Sequence, residues 1–231
     1  MSMTLYETIF ARRSVRQYDK TPLDAAALSE IKNHVDSAKQ IAGQSARFEI
    51  VDGGKLKSGF APHAVLAFAD DSDAAFVNIG YTLQGVDLWL QSVGYGSVWC
   101  GMASPKEAEN DYRILLGFGK TDMPIRASEN EFKRKNLSDI SNEDNAIARA
   151  ARIAPSAVNF QPWKLAFTDG KVTIKTNVRG IGRILPGRLY LFDLGIVTKH
   201  VEVALEHEGK TVTAINAVGK GKDSSVEVSY E

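Results

Sequence analysis

Two stretches of this 231-residue chain recur at nearly one spacing. QSARFEIVDG, from Gln44 to Gly53, lines up with QPWKLAFTDG, from Gln161 to Gly170. NIGYTLQGVDLWLQSVG, from Asn78 to Gly94, lines up with DLGIVTKHVEVALEHEG, from Asp193 to Gly209. The separations are 117 residues (44 to 161) and 115 residues (78 to 193). Each match joins the same kinds of element, a strand with its turn and a long apolar helix, which points to a duplicated unit. A chain of this length buries a substantial core as one large or two small domains. The expected organisation is therefore two halves, residues 1–140 and 141–231, intertwined as one structural unit.

Local patterns fill in the plan. A helix is expected from about Thr4 to Arg12, and a second opens behind Pro22 with Asp24 as its cap. RFEIV and AVLAFA read as strands between the turns DGGK and DDSD. From Ala74 to Gly94, Phe76, Ile79, Leu83, Val86, Leu90 and Val93 recur at helical spacing, giving a long core helix. SVWC reads as a short strand, and Pro105 is expected to start a helix running through KEAENDYRILL. The polar segment from Thr121 to about Asn142 is the natural boundary between the halves. Ser141 with Asp144 resembles a capping box for a helix ending at Ala154, because the residue before proline avoids the helical region. Strands WKLAF and KVTIKT, a helix from about Tyr190 to Gly209, and strands VTAINAV and SVEVSY complete the chain.

Composition excludes more than it assigns. Lys plus Arg and Asp plus Glu both number 28, so no global field draws the chain to nucleic acid or a membrane. The single cysteine, Cys100, forms no intrachain disulfide and fits a reducing, cytoplasmic setting. It reads as a small core residue. MSMTLYETIFARR carries its charge unlike a signal peptide, and no apolar run approaches a membrane span. GFGKT, Gly117 to Thr121, has only the end of a phosphate loop, and His200 and His207 lack metal-ligand spacing.

Two clusters carry chemistry. Arg12, Arg13, Ser14 and Arg16 place three guanidinium groups and a hydroxyl within five residues; such forks grip phosphate oxygens, while the plain alternative is a solvated basic face. Lys133, Arg134 and Lys135 form a second basic knot that can close on the same anion or simply decorate the surface. In APSAVNFQPW, Pro155 and Pro162 stiffen a loop from which Ser156, Asn159 and Gln161 offer donors and acceptors. A helix-to-strand connector satisfying its own backbone is the equal alternative.

ARRSVRQYDKTPL resembles the N-terminal motif of the FMN-dependent nitroreductase family, and APSAVNFQPWKLAF resembles that family's second motif. GYTLQGVDLWLQSVGYGSVWCG and FKRKNLSDI resemble its central helix and its basic tail. The resemblance implies an α+β fold with antiparallel sheets surrounded by helices. The order differs from the usual one: the first half has arginines, helix and tail but reads AKQIAGQSA at the loop position, while the second half has the loop and no arginine motif. The resemblance is therefore to a duplicated, single-chain subgroup, a monomeric pseudo-dimer with one composite flavin site where the family uses two chains. It implies that Arg12, Ser14, Arg134 and Lys135 hold the FMN phosphate, with Arg13 assisting. Arg16 would stand near the flavin pyrimidine edge, the loop from Pro155 through Ser156, Asn159 and Gln161 would touch the ring or ribityl chain, and the backbone of Gly101 or Met102 would face flavin N5. The activity implied is reduction of a small electron-poor acceptor, such as a nitroaromatic or quinone, by NAD(P)H. The alternative is a related module, with or without flavin, that has lost turnover.

Overall fold

The computed structural model describes residues 2–178 and 188–231. Its order is α1 (Leu5–Ala11), α2 (Ala25–Asp36), β1 (Arg47–Asp52), β2 (His63–Phe68), α3 (Asp73–Ser92), β3 (Gly96–Cys100), β4 (Tyr112–Gly119), α4 (Leu137–Ile140), α5 (Ala146–Arg152), β5 (Trp163–Thr168), β6 (Lys171–Thr176), α6 (Leu189–His207), β7 (Val212–Val218) and β8 (Ser225–Tyr230). The fold class is α+β, with two four-stranded antiparallel sheets of order β1-β2-β4-β3 and β5-β6-β8-β7. Both sheets thus follow one order, first, second, fourth, third. Among the described residues, no helix is long and apolar enough to cross a membrane.

Two compact units share the chain. The first comprises Met1–Lys39, Ala46–Asp71 and Gly85–Glu129, and the second Gln40–Ser45, Ser72–Gln84 and Asn130–Glu231. In the first, α1 opens with a complete capping box, Thr4 and Glu7 each bonding the other's backbone N–H. Asp24 caps α2 by accepting from Ala27 N. Strand β2 is buried along its length, and Leu56, Ala64, Leu66, Phe68 and Leu115 pack together. His63 accepts from Leu23 N at 3.0 Å through Nε2, tying the start of α2 to the sheet.

In the second unit α6 is buried from Tyr190 to Leu205. A helix covered on all sides must satisfy its polar side chains internally. Glu202 takes Lys199 Nζ at 2.5 Å and Tyr81 Oη at 2.7 Å. His200 Nδ1 lies 2.9 Å from Ala150 O, and its Nε2 lies 3.2 Å from Gln84 Nε2. At the crossing of α6 with the first part of α3 the contact is reciprocal. A Cβ at Gly80 would collide with the Phe192 carbonyl, and one at Gly195 with the Val77 carbonyl. In the internal alignment Gly80 stands opposite Gly195 and Val77 opposite Phe192.

Two expectations are corrected. The segment expected as a helix from Pro105 through KEAENDYRILL contains a strand, β4, beginning at Tyr112. Its run of buried residues pairs with β2 on one edge and β3 on the other, and a short apolar run of this kind carries no period that separates strand from helix. Gly117 and Gly119 of GFGKT lie on this strand, where the absence of side chains admits Phe60 and Pro62. The cap of α5 is Asn145, accepting from Ala148 N at 2.8 Å, rather than Ser141. Ser141 Oγ bonds Glu143 N and O in a local turn, and the helix stops at Arg152.

Candidate functional site

The N-terminal cationic segment lies in the first unit, anchored where Ser14 bridges Ser97 and Val15 N donates to Ser97 O. Arg12 is buried at 1% exposure, with Nε 2.8 Å from Asp87 Oδ2. Asp87 also accepts from Ser97 Oγ at 2.6 Å and Gln91 Nε2 at 3.1 Å. Gln91 Oε1 in turn accepts from Arg13 N. Arg126 reinforces the helix exit, its N donating to Ala11 O and its guanidinium to Arg12 O. Arg12 Nη2 remains buried with no hydrogen-bond partner among the described residues.

Arg13 and Ser14 are half-buried, whereas Arg16 is exposed. Arg16 lines an open cleft of about 640 Å³ with Tyr18, Lys20, Asp52, Phe60 and Pro62. Its charge also reaches Cys100, whose thiol is pushed up to about 11 by burial, with Arg16 pulling the other way. That thiol stays protonated at neutral pH, which fits a packing role. Gly101 and Met102 form an exposed turn after β3, and the Met102 side chain is 93% exposed.

In the second unit the loop and the basic knot meet. Arg134 Nη1 donates to Asn159 Oδ1 at 2.5 Å, and Asn159 Nδ2 donates to Lys133 O at 2.7 Å. Lys135 N donates to Gln161 Oε1 at 2.7 Å and its Nζ to Gln161 O at 3.0 Å. Gln161 closes the turn: its N donates to Ser156 Oγ at 2.9 Å and its Nε2 to Arg152 O at 2.6 Å. Gln161 is fully buried and bonded at both ends of its amide, so its contribution is loop geometry. Burial lowers the Lys135 ammonium from its ordinary range, and Asp139 opposes the shift. Its Nζ also stands 4.9 Å from the Phe160 ring.

The loop stores strain. Val158, Asn159 and Gln161 have φ of 45°, 58° and 47°, a region that costs non-glycine residues about 1–3 kcal/mol each and is most unusual for a β-branched one. Pro155 is buried behind it and Val158 is 77% exposed at its tip. Asp193 of α6 holds its entry, Oδ1 accepting from Ala157 N at 2.9 Å. Neither Asp87 nor Asp193 stood out in the motifs. The internal alignment carried the signal for the second: Asn78, opposite Asp193, accepts from Ile41 N at 2.8 Å.

The buried polar atoms that lack hydrogen-bond partners among the described residues include Arg12 Nη2, Trp163 Nε1 at the end of the loop, and Asp193 Oδ2. Native interiors rarely leave such atoms unmatched without a ligand, water or ion to meet them.

Residues 4–205 match the family described as "Putative TM nitroreductase". The chain belongs to that family. Among solved structures, a nitroreductase from Thermotoga maritima is 20% identical with a TM-score of 0.72, over 99% of this chain and 94% of its own. That likeness shows the fold. A nitroreductase family protein from Clostridium difficile is 18% identical, TM-score 0.49, over 63% of this chain and all of its own. A nitroreductase from Desulfovibrio desulfuricans, solved in complex with FMN, is 17% identical, TM-score 0.45, over 63% of this chain and 99% of its own. No curated protein matches the chain.

Proposed function

We propose that the protein is an FMN-dependent oxidoreductase that reduces small electron-poor acceptors, nitroaromatics or quinones among them, with NAD(P)H. The observation that carries this reading is the join between the basic knot and the loop, Arg134 on Asn159 and Lys135 on Gln161, in a chain of the nitroreductase family. Bound flavin would supply the electron chemistry, and the chain supplies orientation, charge and shielding from water. Arg12, Arg13, Ser14, Arg134 and Lys135 serve the phosphate, and Arg16 favours negative charge on the ring. Pro155, Ser156, Asn159 and Gln161 shape the loop against it, and the backbone at Gly101 or Met102 faces its reactive edge. The two halves form one pseudo-dimer with a single composite site.

A second reading, a flavin-binding or flavin-free module without turnover, is favoured by the self-satisfied loop, in which Asn159 and Gln161 already bond Arg134, Lys133, Lys135 and Arg152. Titration of purified protein with FMN, followed by quenching of flavin fluorescence, separates the two when paired with NAD(P)H oxidation. Saturable binding at least tenfold tighter than riboflavin, roughly 1.4 kcal/mol for the phosphate grip, is expected, together with turnover on a quinone. Binding without turnover selects the module, and no binding removes the flavin reading.

A further inference from the structure

Asp193 and Asn78 stand opposite each other in the internal alignment and perform the same local task with different chemistry. Asn78 uses both ends of its amide, accepting from Ile41 N and donating to Gln40 Oε1 at 2.8 Å. Asp193, 2% exposed, uses one oxygen, on Ala157 N, and its Oδ2 is buried with no hydrogen-bond partner among the described residues. A carboxylate in that position would hold a full charge on one neutral hydrogen bond. Burial accordingly pushes Asp193 up to about 8, and the Ala157 N–H offsets only part of the shift.

The charged groups of the elements around it act elsewhere. On α5, Arg149 bonds Asp144 and Arg152 donates to Lys135 O. On α6, Lys199 pairs with Glu202, and Arg188 at its N-terminal end pairs with Asp73. Lys171 of β6 and Glu227 of β8 pair with each other, and burial and the Ala157 N–H are the causes acting on Asp193.

We propose that Asp193 is a positioning residue for the loop from Pro155 to Gln161 and holds it in the flavin-binding geometry only while protonated. Ala157 immediately precedes the left-handed residues Val158 and Asn159, so the bond from its N–H sets the entry angle of the strained tip. Arg134 and Lys135 are attached to that same loop, and their placement follows it. An ionised Asp193 places a negative charge behind a loop that must receive an anion, and opening the loop to water relieves the cost of burying that charge. Both effects weaken binding. The inference rests on the flavin reading above.

The test is FMN affinity by fluorescence quenching from pH 6.5 to 9.5 for wild type, Asp193→Asn and Asp193→Ala. Asparagine keeps the acceptor for Ala157 N and cannot ionise, so it also controls for titration of FMN and of other groups. The wild-type Kd is expected to rise about tenfold between pH 7 and 9, while that of Asp193→Asn stays level. Asp193→Ala binds more weakly throughout; if it fails to fold, the asparagine variant carries the test. The melting temperature of the flavin-free proteins gives a second readout. A raised carboxyl contributes fully below its unfolded value near pH 4, and its contribution is lost as pH climbs towards 8, so wild type should fall relative to Asp193→Asn across that window and run parallel above it. FMN binding with parallel wild-type and asparagine affinity profiles overturns this inference and leaves the flavin reading intact. Absence of FMN binding by every variant overturns both.

Discussion

Arg12 combines a structural task with its proposed role at the phosphate. Its Nε neutralises Asp87 in a buried network with Gln91 and Ser97, and its Nη2 carries no hydrogen bond among the described residues. The internal alignment sets Asp87 opposite Glu202, so each half buries an acid on its long helix. Glu202 is answered by Lys199 from the preceding turn of its own half and by the Tyr81 hydroxyl. A half with its own lysine needs no arginine from an N-terminal segment, which is a physical account of why the arginine motif occurs once. Removing one member of a buried pair leaves the other charge uncompensated. Arg12→Ala should therefore destabilise the protein by about 3–5 kcal/mol in urea unfolding, and the double change Arg12→Met with Asp87→Leu by much less. Arg16, exposed on its cleft, should leave the unfolding midpoint unchanged when replaced by alanine yet weaken FMN and riboflavin alike, because its proposed partner is the ring that the two share. A large loss of stability on Arg16→Ala, or none on Arg12→Ala, would contradict this division of roles.

The elements show what the sequence makes legible. Strands β1, β5, β6, β7 and β8 and helices α1, α2, α3 and α6 follow from alternation, caps and helical spacing, because each buries a defined face or is long enough to show a period. Strand β4 does not: AVLAFA of β2 is marked off by turns on both sides, whereas the apolar run of β4 follows the polar KEAEND directly and shows no period that separates strand from helix; its two glycines were the local hint. The loop and the basic knot were legible as motifs, but their bonding to each other is a tertiary fact. So is Asp193, whose meaning lies in what it lacks. The crossing of α3 and α6 is legible in hindsight: Gly80 and Gly195 stand opposite each other in the alignment, and each lies against the carbonyl of the other helix. A side chain there must move backbone, and overpacking of this kind costs about 1–3 kcal/mol or more. Gly80→Ala and Gly195→Ala should each lower thermal stability, by similar amounts if the crossing is a pseudo-two-fold. A neutral effect at one with a large effect at the other would argue against equivalence of the two helices.

For the whole molecule, the repeated strand order β1-β2-β4-β3 and β5-β6-β8-β7, the reciprocal glycine contacts and the paired acids on the two long helices have one economical reading, in which a gene once encoding a half now encodes both. A reciprocal contact, in which residue i touches j and the equivalent of j touches the equivalent of i, is the mark of a two-fold interface between like copies. On the proposed duplication both copies would lie in one chain. The halves have since diverged in complementary ways: the loop of three left-handed residues occurs in the second, where Asp193 replaces the amide of Asn78, and the arginine segment occurs in the first. This proposed history predicts a protein that needs no second chain and holds one flavin rather than two. Sedimentation should give the 25.2 kDa mass of one chain, independent of concentration and of FMN, with saturation at one FMN per chain. Two FMN per chain would mean that the segment around Gln40 and Ile41 still forms a working twin of the loop. A dimer holding two flavins that loses them on dilution would instead place the cofactor between chains, and the internal two-fold would then be a relic of folding rather than the frame of the site.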